Sequence, residues 1–227
     1  VGFDVIPTDC LAAHLAGRLP DAEALDLAFE AEGPASGGTV RTSLRHLHEG
    51  GRVRRDGRIE RVPLAWRDRE VDFGDGPRTV ASIPWGDVAT AYYSTGIPDV
   101  TVYTSMSPST LRRFRVLRHL SPLLSVGPVR WVLAKLFVSD GEGPDAETRA
   151  ATEARVWGRA TAGDEAVVSF LRTPNTYALT VESALAAARR TLDGEPEPGF
   201  QTPSTAFGAD FVLALPGVER RDDRPPG

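Results

Sequence analysis

The sequence has one cysteine, Cys10, and one lysine, Lys135, in 227 residues. A single cysteine excludes an intramolecular disulfide and a zinc site built from cysteines. Arginine supplies nearly all of the positive charge, which we interpret as a coding bias. No apolar run approaches the roughly 20 residues that a membrane-spanning helix needs, and no signal peptide is visible.

The common catalytic signatures are also missing. The sequence contains no G-x-G-x-x-G after a strand, no P-loop, no G-x-S-x-G elbow and no H-E-x-x-H. His46 and His48 are two residues apart and cannot share a helix face, and no set of ligands surrounds the other histidines, so we expect no metal site. The net charge of -5 is spread along the chain without a basic stripe, which argues against nucleic acid as a partner.

Alternating and turn-forming residues predict the fold class. Leu25–Ala31 alternates as a half-buried strand does, and Asp56-Gly57 is a hairpin turn between short strands. Two long strands, Glu153–Thr161 and Glu165–Leu171, follow each other across Gly163-Asp164. Strands joined by tight turns indicate an α+β fold with a mixed, largely antiparallel sheet flanked by helices.

Capping residues and apolar spacing predict the helices. Thr8 or Asp9 is expected to cap a first helix, and Thr202-Pro203 resembles a cap followed by proline at the first helical position. Asn175 or Thr176 is expected to cap a long helix. Its apolar stripe consists of Tyr177, Val181, Ala184, Leu185, Ala188 and Leu192. The polar residues after Arg220 are expected to be frayed.

Two segments are candidates for a functional site. In Ser36-Gly37-Gly38-Thr39 the glycines allow a ligand to approach the backbone, and free N–H groups at a helix start favour an oxyanion or carbonyl. The alternative is an ordinary strand-to-helix turn capped by Thr39. In the stretch from Gly2 to Asp9, Asp4 could orient a substrate or water, or the carboxylates could simply begin a helix.

A third candidate is the apolar segment Phe114–Phe137, which is interleaved with arginines. One interpretation is a basic amphipathic hairpin that contacts a membrane surface or lipid chain. The other is a helical pair buried in a dimer interface or core. A homodimer and a peripheral membrane contact through residues 107–138 are therefore both open.

The same residues carry a family resemblance. Gly2-Phe3-Asp4-Val5-Ile6-Pro7-Thr8-Asp9 resembles the G-F-D-x-x-P-x-D stretch of saccharopine dehydrogenase-like oxidoreductases, and Ser36–Thr39 resembles their S-G-G-T turn. Pro84–Asp87 and Ile97–Val100 resemble the Pro-x-Gly-Asp and G-I-P-(D/N)-V elements of the same family. Thr173–Thr180 and Gly199–Pro203 are similar to the closing helices. The likeness runs in order from Val1 to about Val218, and it is nearest to the bacterial branch that includes trans-acting enoyl reductases of lipid synthesis.

The resemblance implies a division of the chain. Residues 1–22 would be the end of a dinucleotide-binding domain with a connecting helix, and residues 23–194 an α+β substrate or dimerisation domain. Residues 195–227 would return toward the dinucleotide-binding domain. The family's Rossmann fingerprint would then lie upstream of Val1, in a longer polypeptide, and we expect this chain to be a fragment that is inactive alone.

The implied function is the substrate-binding part of an NAD(P)-dependent oxidoreductase in the cytoplasm or at the inner face of the membrane. NADP or NAD would be bound mainly outside this chain, with Gly2, Phe3 and Asp4 contributing. The substrate would be a small molecule or acyl lipid held at Gly37 and Gly38. The expected catalytic residues are Asp4, Ser36, Thr39 and Tyr92, with Tyr93 as another proton donor. The alternative is a non-catalytic lipid-binding or dimerisation module.

Overall fold

A computed structural model describes residues 1–33, 37–118 and 144–223. The α-helices are α1 (Ile6–Arg18), α2 (Gly37–His46), α3 (Asp87–Thr95), α4 (Pro108–Leu117), α5 (Ala146–Ala151), α6 (Thr176–Leu192) and α7 (Pro203–Phe207), with 3-10 turns at Leu47–Glu49 and Phe211–Ala214. The strands are β1 (Ala24–Ala31), β2 (Gly51–Arg55), β3 (Arg58–Val62), β4 (Asp68–Asp72), β5 (Pro77–Ser82), β6 (Asp99–Ser105), β7 (Glu153–Ala162), β8 (Glu165–Pro174) and β9 (Glu219–Asp223).

These nine strands form one mixed sheet in the described part of the chain. The order along its main path is β3-β2-β6-β1-β7-β8-β9, and the β4–β5 hairpin joins through β5 to β6. The central strands β1 and β6 are parallel, from Ala24 opposite Asp99 to Phe29 opposite Thr104. The remaining pairings of described strands are antiparallel. The mixed α/β character that the turns predicted is confirmed.

Helices cover one face of the sheet and form the main core with it. Leu11 and Leu15 of α1 are fully buried together with Leu27 of β1. Gly158 on β7 makes the space for them, because a Cβ atom there would lie 2.6 Å from Leu15 Cδ1 and 3.1 Å from Leu11 Cδ2. The close approach of α1 to the sheet therefore depends on a residue without a side chain.

The β4–β5 hairpin crosses the other face of the sheet. Val71 and Phe73 pack in a second apolar cluster with Trp157 of β7 and Phe170 of β8. On this same face Arg69 of β4 binds Asp26 of β1, with 2.6 Å between Nη1 and Oδ2. The hairpin thus covers the part of this face that is rich in aromatic residues.

Turns and caps follow the local sequence closely. The β2–β3 hairpin turns at Asp56 (φ 47°) and Gly57 (φ 72°), the paired positive dihedrals that favour Asp-Gly. Asn175 caps α6 by accepting the Tyr177 N–H at 2.9 Å, and Thr202 forms a capping box with Thr205 at the start of α7. The predicted hairpin, the Asn175 cap and the Thr202 cap are confirmed.

Two predictions about the ends of the chain are wrong. Helix α1 begins at Ile6, so Thr8 and Asp9 lie inside its first turn and do not cap it. The residues after Arg220 are ordered as far as Asp223, because β9 pairs with β8 and Asp222 accepts hydrogen bonds from Ser169 (2.6 Å) and His14 (2.9 Å). Pairing with β8 and hydrogen bonds between Asp222 and side chains of α1 and β8 hold this segment in place although it is polar and charged.

Helix α6 presents to solvent the stripe that its sequence predicts as its apolar face. The buried residues of α6 are Leu179, Ser183 and Ala187. By contrast, Val181 is 58% exposed and Leu185 is 49% exposed. We call the exposed residues Val181, Leu185, Ala188 and Leu192 the α6 stripe. Part of the apolar surface of this helix is therefore uncovered by the described residues.

Candidate functional site

The start of the chain meets three other segments at one place, which we call the edge cluster (Gly2, Phe3, Phe29, Trp85 and Thr180). The ring of Phe3 contacts that of Phe29 edge-on with 5.8 Å between centroids, and Phe29 contacts Trp85 at 4.8 Å. The Phe3 N–H donates to Thr180 Oγ1 at 3.0 Å. Gly2 packs so closely that a Cβ atom would lie 3.3 Å from Thr180 Cγ2. The cluster thus joins the chain start, β1, the segment before α3, and α6.

The indole of Trp85 leaves a hydrogen bond unmade in this cluster. Its Nε1 is buried and has no hydrogen-bond partner among the described residues. Buried donors are nearly always paired, so an unpaired one requires an explanation such as a ligand or water. Pro84 and Gly86 on either side of Trp85 are exposed, which keeps this segment at the surface.

The residues predicted at the cofactor end differ in accessibility. Gly2 and Phe3 are buried in the edge cluster, whereas Asp4 is exposed. Because Phe3 uses its ring for the core and its N–H for Thr180, Asp4 is the member whose side chain can still meet a ligand. The functional assignment of all three stays a prediction.

The predicted substrate turn is described only in part. Ser36 lies outside the described residues, and the side chain of Thr39 is also outside them. Helix α2 begins at Gly37, which is buried, and the next residue, Gly38, is exposed. A strand-to-helix change between Ala31 and Gly37 is present, as both interpretations of this segment require. The segment Phe114–Phe137 is described only to Arg118.

The two predicted proton donors lie on the solvent side of α3. Tyr92 packs under the guanidinium of Arg54, 4.3 Å from its carbon to the ring centroid, and contacts the β2–β3 turn at Gly57. Tyr93 is 65% exposed and contacts the ring of Phe200 at 5.1 Å. Neither contact involves Asp4 or α2, so their catalytic role stays a prediction.

A buried polar cluster joins several segments that carry the family resemblance. Thr8 Oγ1 lies 2.8 Å from Asp87 Oδ2, and both residues are fully buried. Asp9 accepts a short hydrogen bond from Ser94 Oγ and one of 2.7 Å from the Ser204 N–H. Ser94 Oγ also lies 2.7 Å from Thr202 Oγ1. Hydroxyl and carboxyl groups therefore bind α1, α3 and α7 to one another.

The surroundings of Asp87 favour its protonated, neutral form in the folded protein below about pH 8. Burial raises the pKa of Asp87 to about 8; hydrogen bonding from Thr8 opposes this rise and the charge of Asp9 adds to it. The Thr8 hydroxyl also faces the Val5 carbonyl oxygen at 3.1 Å. One hydroxyl proton cannot serve both acceptors, so a protonated Asp87 can donate to Thr8 while Thr8 donates to Val5.

This cluster was not predicted from the sequence, although the sequence carries a signal for it. Asp9 stands between apolar helix residues, beside Cys10 and Leu11, where an ionisable group needs a buried partner. Cys10 itself is chemically quiet, because burial raises the pKa of its thiol to about 12, with a further rise from Asp9. Its two carboxyl groups, Asp9 and Asp87, are fully buried, so we assign the cluster to holding the fold.

Comparison with protein-family models and with curated proteins finds no match for this chain. Among the described residues, no helix is long and apolar enough to cross a membrane. The same residues contain no group of three histidine, cysteine, aspartate or glutamate side chains that could hold a metal ion.

Proposed function

We propose that this chain is the substrate-side domain of an NAD(P)-dependent oxidoreductase. A nucleotide-binding domain encoded upstream of Val1 would cover the α6 stripe. The family is suggested by the sequence motifs, which occur in the same order as in the saccharopine dehydrogenase-like oxidoreductases. The observation that carries the proposal is the uncovered α6 stripe, whose large residues Val181, Leu185 and Leu192 are exposed.

The position of the stripe supports a covering domain in cis. Gly2 and Phe3 contact Thr180, which directly precedes Val181 in α6. The segment that resembles the end of a dinucleotide-binding domain therefore lies against the first turn of the stripe. Val181 and Leu185 are already about half buried, so covering the rest of each contributes roughly 1 kcal/mol, a useful part of an interdomain contact.

The residues of this chain fit only one end of a nicotinamide cofactor. The sequence lacks a glycine-rich turn for the phosphates, so these would be held by the upstream domain. The edge cluster offers the partly exposed ring of Trp85 and its unpaired N–H, a donor suited to a carboxamide or carbonyl oxygen. The bound cofactor would supply the hydride, since the protein's part in such chemistry is orientation and electrostatics.

Asp4 would act at the mouth of this site. It is exposed beside the buried Phe3 and can orient a polar group of the substrate or accept its proton. The amides at Gly37 and Gly38 would polarise a carbonyl or stabilise an enolate, because free N–H groups at a helix start favour negative charge. An acyl-lipid or small carbonyl substrate is compatible with these roles.

The test compares the longer polypeptide, including the residues upstream of Val1, with two variants of it. Leu185→Glu should weaken NADPH-dependent turnover and lower the unfolding temperature, because a charge is then buried at the domain contact. Ile59→Glu is the matched control, since Ile59 is an aliphatic residue as exposed as Leu185 and lies on β3, outside every candidate contact surface. It should leave both quantities near those of the parent protein.

Two results would overturn the proposal. The first is a longer polypeptide that binds neither NADPH nor NADH. The second is a Leu185→Glu variant that behaves like the Ile59→Glu control in both turnover and unfolding, which would mean that the α6 stripe stays in solvent.

A further inference from the structure

Three arginines gather on the sheet face opposite the edge cluster. They are Arg67, Arg69 and Arg159, and we call them the arginine patch. Arg159 lies directly across from Asp26 in the β1–β7 ladder, and Arg69 binds the same carboxylate at 2.6 Å. The charge of Arg67 also acts on Asp26. Three guanidinium groups therefore surround one carboxylate.

The positive charge of the patch exceeds what the protein itself neutralises. The guanidinium groups of Arg67 and Arg159 have no hydrogen bond or close ion pair among the described residues, and the carboxylate of Asp26 is held by Arg69. Each guanidinium carries five N–H donors. Burial raises the pKa of Asp26 even though these arginines oppose the rise. The patch therefore keeps unused donors and about two excess positive charges.

Aromatic rings hold two of these arginines in place. The guanidinium carbon of Arg67 lies 4.1 Å from the centroid of Trp66, whose ring also contacts Arg55 at 4.3 Å. Arg69 lies 5.1 Å from the centroid of Trp157. Stacking fixes the plane of a guanidinium and leaves its edge N–H groups free, so less freedom is lost when an anion binds.

Small side chains leave room beside the patch. Residues two apart on a strand share a face, so the row next to Asp26 and Arg159 holds Ala24 and Thr161, which are paired across β1 and β7. Asp99 of β6 lies beyond Ala24 in this row and accepts the Asp56 N–H at 2.8 Å. Ala166 of β8 continues that row opposite Thr161. The β4–β5 hairpin packs over the aromatic rows beyond Asp26. A shallow floor of small residues thus borders the free guanidinium groups.

We propose that the arginine patch binds an oxyanion, a phosphate or carboxylate group of a small molecule. Planar guanidinium groups match both anions by paired N–H···O bonds, which charge strengthens. Arg159 and Arg67 supply the free donors, and Arg69 can share its donors between Asp26 and the ligand. This site is separate from the proposed nicotinamide site, because it lies on the other face of the sheet.

The test titrates this chain with inorganic phosphate and with succinate by calorimetry at low ionic strength. Saturable binding of either probe is expected, and Arg159→Gln should weaken it about tenfold, because a charged hydrogen bond of this kind is typically worth that much. Arg67→Gln should also weaken it, and since Arg67 is exposed this variant tests the site without risk to folding. Preference for one probe identifies the anion.

Arg189→Gln is the matched control. Arg189 is an exposed arginine on α6, on the helical side of the sheet, and its loss removes the same charge from the molecule. Binding should be unchanged in this variant. Equal weakening by Arg189→Gln and Arg159→Gln would overturn the proposal, since the effect would then come from net charge. Absence of saturable binding by either probe would overturn it as well. These binding measurements do not involve NADPH, so failure of this proposal is distinguishable from failure of the proposed oxidoreductase function.

Discussion

Replacing Asp87 by asparagine tests the buried polar cluster most directly. The pKa of Asp87 is about 8 in the folded protein because of burial, against an ordinary value of 3.8. The folded state therefore binds more protons than the unfolded state between these values. The contribution of this group to stability is complete below about pH 4 and is lost as the pH rises through 8.

The magnitude follows from the same values. One pKa unit corresponds to about 1.4 kcal/mol, so the loss from pH 5 to pH 8 reaches at most about 4 kcal/mol. Asparagine does not titrate, and its amide N–H can donate to Thr8 as the protonated Asp87 does. We expect the wild-type protein to lose stability across this range, relative to Asp87→Asn, by up to that amount. Carboxylates of lowered pKa, such as Asp72, titrate at more acidic pH and do not contribute.

Urea unfolding of both proteins at several pH values between 5 and 8 measures this difference. Asp164→Asn is the control, because Asp164 is exposed in the turn between β7 and β8 and its replacement should shift the curve equally at every pH. If the difference between wild type and Asp87→Asn stays constant from pH 5 to pH 8, Asp87 is ionised throughout and the proton counting is refuted.

Three further predictions concern binding, the α2 turn and the core. This chain alone should not bind NADPH or NADH in a fluorescence titration, and micromolar binding would contradict the placement of the phosphate cradle upstream of Val1. In the longer polypeptide Gly38→Val should lower reductase turnover strongly while the free energy of unfolding falls by only about 1–2 kcal/mol. If turnover falls only as far as the loss of folded protein explains, the α2 turn is an ordinary turn. Gly158→Val should destabilise the protein by about 1–3 kcal/mol in urea unfolding, because its side chain would overlap Leu15 and Leu11, and an unchanged midpoint would contradict the close packing of α1.

Local patterns predicted much of the fold because the relevant interactions are short in sequence. The Asp56-Gly57 turn needs only two residues with positive φ, and the Asn175 cap needs only the N–H two residues later. The place of β1 as a strand and the mixed character of the sheet were also correct, but the strand is not half-buried: Ala28 is buried too, because the second face of the sheet is covered there, and Ala31 is exposed. These features depend on neighbours that the sequence places side by side.

The errors arose where distant residues decide the outcome. In the sequence alone, Asp9 resembles a helix cap. In the fold, its carboxylate binds Ser94 and Ser204, which lie 85 and 195 residues away along the chain. The tail resembles a frayed end until Asp222 meets His14 across 208 residues. The stripe of α6 predicts a buried face, but periodicity does not identify what covers it. The arginine patch was missed for the same reason, since the β4–β5 hairpin brings Arg67 and Arg69 to β1.

The position of β1 has a consequence for how the protein is made. One of its neighbours, β6, begins 75 residues after β1 begins, and the other, β7, begins 129 residues after it. On the ribosome β1 therefore emerges with both edges unpaired, and they are not both paired until most of the chain has been synthesised. Such late, non-local pairing slows folding and exposes an apolar strand to other chains. Newly synthesised protein should consequently depend on chaperones until β7 has left the exit tunnel.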